Sequence, residues 1–250
     1  MTPDSPFAPL VERWQKYFPL GEADRRAILA LPHRRREVGR DQYLVREGEQ
    51  PQNCCLVLDG FAYRHKVTGE GARQIISIHM PGEFVDLQNS LLGTADHNVQ
   101  TLTRAEVALI PQAALQELMS RHPQVGRVMW IDTLIDSSIF REWVVNVGRR
   151  NAQARVAHLL CELMMRLKAA ELAEEYGYEL PLTQAQLADA TGLTSVHVNR
   201  VLKALREAGL ISLDIRSLRI LDLARLEAVG DFNETYLHHD LQMQNAPTAA

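Results

Sequence analysis

"LTQAQLADATGLTSVHVNRVLKALREAGLI", residues 182–211, holds two short helical patterns that meet at a glycine. At the helical advance of about 100° per residue, Val198, Val201, Leu202, Leu205 and Ala208 share one side of the second pattern. Ser195, Asn199, Arg200, Lys203 and Arg206 fall on the other side, with Val196 in their midst. Local chemistry sets the geometry between the two patterns. Thr183 and Gln186 read as a capping box, Thr-x-x-Gln, which satisfies two orphan donors at a helix start. Gly192 stands where a left-handed turn reverses the chain. Thr194 is the expected N-cap of the second helix and Gly209 its C-terminal stop.

Helix, short glycine turn, helix is the spacing of a helix-turn-helix. In that motif the second helix enters a DNA major groove and reads base edges near its N-terminus. The outward strip then has a use. Arg200 can donate two hydrogen bonds to guanine O6 and N7, while Ser195 and Asn199 reach base edges or phosphates. Val196 is shaped to pack on a thymine methyl group. Lys203 and Arg206, with Arg149 and Arg150 upstream, are the expected phosphate contacts.

The 250 residues suffice for one large or two ordinary domains, and 46% hydrophobic with 23% charged residues predicts a conventional packed core. A formal net charge of −4 excludes a generally basic nucleic-acid coat, so DNA binding must rest on a local patch. Residues 149–220 carry ten Lys/Arg against eight Asp/Glu, so the sign split runs the right way. No run approaches the ~20 apolar residues of a membrane span, and the opening "MTPDSPFAPLVERW" lacks the order of a secretory signal. A cytoplasmic protein without membrane partners is expected. Cys54, Cys55 and Cys161 are odd in number and lack C-x-x-C spacing, which predicts buried thiols over a disulfide or zinc scaffold.

From about residue 40 to 111 the chain is strand-like. "CCLVLDG", "FAYRHKV", "RQIISIHM" and "AEVALI" alternate with glycines, and "TGEG" at 68–71 is a hairpin signal. Many short strands with glycine turns predict an antiparallel roll. "EADRRAILALP" before it and "QAALQELMSRHP" after it read as short amphipathic helices. Residues 124–147 are apolar on more than one side: Val125, Val128, Ile131, Ile135 and Ile139 advance at helical spacing, while Trp130, Leu134, Trp143 and Val144 point elsewhere. A helix apolar around most of its circumference is buried from two sides. A homodimer seam is the economical second cover, carried by the Val125, Val128, Ile131, Ile135, Ile139 series. Residues 148–151 break the pattern, a further helix runs from 152 to 177, and "LISLDIRSLRILDL" looks like two strands of a wing. The last stretch, "HHDLQMQNAPTAA", reads as a frayed tail.

The predicted fold is α+β. Residues 1–21 form an N-terminal arm and 22–123 an antiparallel β-roll with flanking helices. Residues 124–148 form a dimerisation helix, 149–232 a winged helix-turn-helix, and 233–250 a flexible tail. In this order, "LVLDGFAYRHKV", "MPGEFVDLQNSLLG", "GRRNAQARVAHLLCEL" and "LTSVHVNRVLKALREAGLI" resemble the Crp/Fnr family of bacterial transcription regulators over about residues 22–232. The resemblance implies a homodimer with a cyclic-nucleotide-binding-like jelly-roll sensor and a C-terminal DNA reader. It also implies that sensor changes pass through the long helix to two recognition helices about 34 Å apart. Double-stranded DNA and a second copy are the implied partners, and RNA polymerase is a further candidate.

Departures from the family pattern bear on the ligand. Family members that bind cyclic AMP carry a Gly-Glu pair after the Pro-Gly turn and an arginine beyond the next loop. Here Asp86 and Leu87 stand in place of the pair, and no arginine occurs between Pro81 and Thr103. A buried phosphate needs a cation or several aimed N–H donors, so cyclic AMP is not expected to bind in the usual way. The iron–sulfur branch uses N-terminal cysteines, and none precedes Cys54. His65, His79 and His97 leave haem less firmly excluded, although structural histidines are the ordinary case. No cofactor is predicted; an unknown small effector, or no effector at all, both remain open. In the recognition helix, Val196 replaces a glutamate seen in relatives, while the arginine that resembles Arg200 is kept. A cupin-like metal enzyme is the rival from another class. It requires His-x-His in the roll, which is lacking, and no nucleophile elbow or phosphate loop is present.

Overall fold

The computed structural model describes residues 5–239 and Leu241. It divides the chain into two compact units. The first holds the chain up to Arg64 and Ile78–Ser137, and the second holds His65–Ser77 and Ser138–Leu237. The stretch read from sequence as a frayed tail lies largely outside the described residues.

The chain opens with α1 (Ala8–Tyr17) and α2 (Glu22–Leu29), followed by β1 (Arg34–Val38), β2 (Tyr43–Val45), β3 (Asn53–Asp59), β4 (Ala62–Val67) and β5 (Arg73–His79), β4 running into the second unit and β5 lying mostly in it. Then come α3 (Asn89–Leu92), β6 (Asn98–Thr101), β7 (Ala105–Pro111), α4 (Gln112–Arg121) and the 27-residue α5 (Pro123–Arg149). Two sheets, ordered β1-β7-β3 and β2-β6-β4-β5, form the roll, and β1–β7, β3–β7 and β2–β6 pair antiparallel. The Thr68–Ala72 turn closes the β4–β5 hairpin with Thr68 N–H donating to Ala72 O at 2.9 Å. Because successive strand residues face opposite ways, Cys54 joins the helix-covered core of Leu56, Ile110, Leu115 and Val125. Cys55 joins Val45, Val57, Val99 and Val107 in the other. The N-terminal arm of the sequence reading folds as α1. Its Phe7, Leu10 and Trp14, at i, i+3 and i+7, are fully buried in the first core. Arg13 adds a two-pronged ion pair to Asp132 of α5, at 2.7 Å on each prong.

That packing corrects the seam assignment on α5. Val125, Val128, Ile135 and Ile139 are buried within the single chain and Ile131 is half-buried. Val125 and Val128 have no surface left to offer a partner, and Ile135 and Ile139 keep little. The exposed apolar stripe lies on the opposite face: Trp130 (62% exposed), Leu134 and Val144, with Phe140 and Val145 on its flanks.

The second unit takes the last turns of α5, then α6 (Ala152–Ala169), β8 (Gly177–Glu179), α7 (Gln184–Thr191) and α8 (Ser195–Glu207). It ends with β9 (Ile211–Asp214), β10 (Ser217–Ile220), α9 (Leu223–Gly230) and a 3-10 turn, Glu234–Leu237. The wing has three strands, ordered β8-β10-β9. α5 continues through Gly148 to Arg149, and Asn151 caps α6 by accepting from Ala154 N–H at 3.0 Å, so the break expected at 148–151 narrows to two residues.

Around that break a polar clasp forms. Glu162 of α6 is fully buried and accepts from Trp143 Nε1 at 2.9 Å, from Tyr236 O–H at 2.8 Å and from Arg166 at 3.3 Å. His158 Nδ1–H donates to Gly230 O at 3.2 Å and its Nε2 lies 3.1 Å from the Tyr236 hydroxyl, the ring close to parallel with that of Tyr236. Burial, with Arg150 nearby, pushes the His158 imidazole down to about 4. Gly230 is required by the close approach of α9 to α6, since a Cβ there would lie 2.8 Å from the His158 backbone nitrogen.

Candidate nucleic-acid interface

α7 and α8 are set by the local chemistry that the sequence foretells. Thr183 accepts from Gln186 N–H at 3.2 Å while Gln186 Oε1 accepts from Thr183 N–H at 2.9 Å, a complete capping box. Gly192 ends α7 in the left-handed region at φ 63°, and Thr194 caps α8 by accepting from His197 N–H at 3.2 Å. Val198, Val201, Leu202 and Leu205 bury one face of α8; Ala208, at its C-cap, is exposed.

On the other face Ser195, Val196, Asn199, Arg200, Lys203 and Arg206 are all exposed, Val196 by 64%. A large aliphatic side chain left in water among polar neighbours has no packing role there. The Asn199 amide donates to Gln184 Oε1 at 3.2 Å, which ties this exposed face to the first turn of α7. Gln184 is thus a member of the surface that helix periodicity within α8 alone does not reveal. Lys203 lies 3.7 Å from Glu207, an exposed i,i+4 pair of little energetic weight.

Arg149 is exposed, as its assignment to phosphate requires. Arg150 is not available for that role, which corrects the sequence reading. Its guanidinium is largely buried, 2.7 Å from Glu142 and 3.2 Å from Asp231, so it is spent on joining α5 to the end of α9. Extracting it would leave Glu142 facing an emptied site.

A second polar cluster occupies the first unit, and its cation comes from outside the Pro81–Thr103 stretch in which no arginine occurs. Arg64 enters from β4: its Nε donates to Val85 O at 2.7 Å and another nitrogen lies 3.5 Å from Gln88 Oε1. The same guanidinium pairs with Asp136 of α5. Burial works against the charge on Asp136, yet Arg64 and His79 together hold its carboxyl below the usual range. His79 lies 3.6 Å from Glu83, and His97 reaches Asp96 at 2.5 Å and Gln88 at 3.3 Å. Both imidazoles are driven down by burial first and by Arg64 next. The third histidine, His65, is also buried.

Asp86, one of the two departures from the family pattern, is fully buried. Its Oδ1 accepts from Cys55 N–H at 2.7 Å, while Oδ2 meets no hydrogen-bond partner. Burial raises this carboxyl to about 7. Cys54, Cys55 and Cys161 are all free and buried, and burial raises each thiol. Among the described residues no group of three His, Cys, Asp or Glu is arranged to hold a metal ion, and no helix is long and apolar enough to cross a membrane.

Comparison with known proteins places this geometry. The profile of the Crp-like helix-turn-helix domain matches residues 154–229, and that of the cyclic nucleotide-binding domain matches residues 35–122. The transcriptional activator protein FnrL of Cereibacter sphaeroides is 30% identical over 195 residues, covering 76% of this chain and 78% of that protein. The nitrogen fixation regulation protein FixK of Bradyrhizobium diazoefficiens is 29% identical over 174 residues, 70% of this chain and 72% of that one. Among solved structures, FixK2 from Bradyrhizobium japonicum superposes with a TM-score of 0.73 at 24% identity, covering 80% of this chain and 98% of FixK2.

Proposed function

The chain belongs to the Crp/Fnr family of transcription regulators, and from that premise we propose a homodimer that reads a palindromic DNA site through α8. One observation carries the reading: α8 buries a complete apolar face while holding Val196, Asn199 and Arg200 out in water. Arg200 takes a guanine in each half-site, Asn199 and Ser195 neighbouring edges or phosphates, and Val196 a thymine methyl. Arg149, Lys203 and Arg206 face the phosphates. Selection from a random DNA pool with the purified protein tests this. The expected result is a two-fold-symmetric consensus with guanine at one fixed position per half. A pool that emerges unenriched would sink it.

The exposed stripe on α5 supports the dimer. Trp130, Leu134, Ser137, Arg141, Val144 and Gly148 follow one another at alternating steps of four and three, the spacing of a coiled-coil seam. Trp130→Glu or Leu134→Glu puts a carboxylate into that seam. Each should convert the dimer to single chains in sedimentation and lower DNA affinity at least tenfold, because the half-sites are then bound separately. A variant that stays dimeric moves the seam elsewhere.

The sensor does not take cyclic AMP in the usual way. A cyclic phosphate needs an uncommitted cation, whereas Arg64 is already paired with Asp136 and the Asp86 carboxyl lies buried in the segment that would approach the ligand. A second reading is favoured by the same pair: Arg64 bridges Val85 and Gln88 to α5 from within, so DNA binding requires no small effector. Control then lies in expression, turnover or a partner protein, RNA polymerase among the partners. The protein acts in the cytoplasm, and no catalytic role is assigned to it.

A further inference from the structure

Ile215 is 94% exposed, the largest exposure of any big apolar side chain among the described residues, and its backbone sits at φ 51°. Asp214 and Ser217 are paired across the β9–β10 hairpin, so Ile215 and Arg216 form a two-residue loop. The first position of such a loop favours Gly, Asn or Asp, and a β-branched residue in the left-handed region is strained. Isoleucine therefore adds no packing here and works against the turn it occupies. Strain retained at an exposed position points to use.

The tip is held firmly. Arg216 turns back to donate to Leu180 O at 3.2 Å and to Pro181 O, and its own carbonyl accepts from Leu180 N–H at 2.8 Å. Leu180 and Pro181 lead directly into Thr183 and Gln184 at the start of α7, and Gln184 holds Asn199 on the reading face of α8. The wing tip is thus continuous with the DNA-reading surface. It offers that DNA no free cation: Arg216 is engaged, and Asp214 beside it is acidic and exposed. With the tip's arginine engaged, the side chain it presents outermost is the apolar Ile215.

Resting on the DNA-reading assignment above, we infer that Ile215 is an apolar wedge that enters the minor groove flanking each half-site and partly unstacks one base step there. Proteins that insert Ile, Leu or Phe between base steps kink the duplex toward the major groove, and pyrimidine–purine steps yield most readily. Ile215 therefore adds preference for such a step outside the bases that α8 touches.

The test uses full-length protein, the selected palindrome, and 2-aminopurine placed at successive flanking steps. Wild type should raise 2-aminopurine fluorescence at one flanking step on each side. Ile215→Gly should abolish that rise, reduce the DNA bend, and lower affinity about tenfold, while its thermal midpoint stays equal or rises because the turn is relieved. Ile215→Leu should keep the fluorescence signal. If wild-type binding is specific and Arg200-dependent but no flanking step unstacks and Ile215→Gly binds equally well, the wedge is wrong and the α8 reading stands. If wild type binds no specific DNA, both fall.

Discussion

Arg200→Ala lowers affinity for the selected palindrome by about 30-fold to 10⁴-fold, on the basis of roughly 1–3 kcal/mol for a bidentate guanine contact in each of two half-sites. The loss is confined to one base position. On sites whose guanine is replaced, wild type and variant should converge, because a contact that reads the base has nothing left to lose. Lys203→Ala and Arg206→Ala should behave differently: a modest loss on every sequence, and a salt dependence flatter by about one unit for each cation removed from each half. Competition binding across a set of single-base variants separates the two patterns. Uniform weakening by Arg200→Ala would make it a phosphate contact and remove the guanine from the consensus.

Asp86→Asn should stabilise the first unit strongly at alkaline pH and hardly at all at acid pH. The Asp86 carboxyl is raised from 3.8 to about 7 by burial. Its proton is thus held longer in the folded chain than in the unfolded one, and folding stability falls as pH rises from about 4 to about 7. The full loss is present above about 7. Three units correspond to roughly 4 kcal/mol as an upper bound. Asparagine keeps an acceptor for Cys55 N–H and abolishes the charge. His79 and His97, lowered in the fold, give the opposite slope, destabilising as pH falls below about 6.5. Both are present in wild type and variant, so the difference between the two proteins isolates Asp86. Urea unfolding at pH 5 and pH 8 makes the comparison. Parallel shifts in the two proteins would show that Asp86 is charged throughout.

The helix-turn-helix was legible because everything that makes it is local. Thr183 finds Gln186 three residues on, Gly192 needs only its own φ, and the 3.6-residue period of Val198, Val201 and Leu205 needs only the helix. The sensor's polar cluster was not legible for the converse reason. Arg64 and Asp136 are separated by 72 residues, and nothing in "FAYRHKV" says which neighbour a strand arginine will find. α5 illustrates the intermediate case. Its two-sided apolar pattern was plain, but which side faces the chain's own core depends on α1 and α4 packing there, and periodicity carries no such information. β1 escaped notice because Arg34, Arg35 and Arg36 have none of the marks of a strand. Pairing with β7 overrides their weak propensity, and as an edge strand it leaves them in water.

The clasp at Glu162 has a consequence for how the chain tolerates cutting. A protease that nicks the backbone between Gly230 and Tyr236 deletes no part of the DNA-reading surface, yet it withdraws the Tyr236 hydroxyl from a carboxylate that has no water to turn to. It also frees Asp231 from Arg150. Arg166 and Trp143 still hold Glu162, so what is lost is one hydrogen bond to a buried charged group, about 1.5–3 kcal/mol. A clip of a few residues far from α8 would therefore loosen the joint between α5 and α6, silencing the regulator while leaving every base-reading side chain intact.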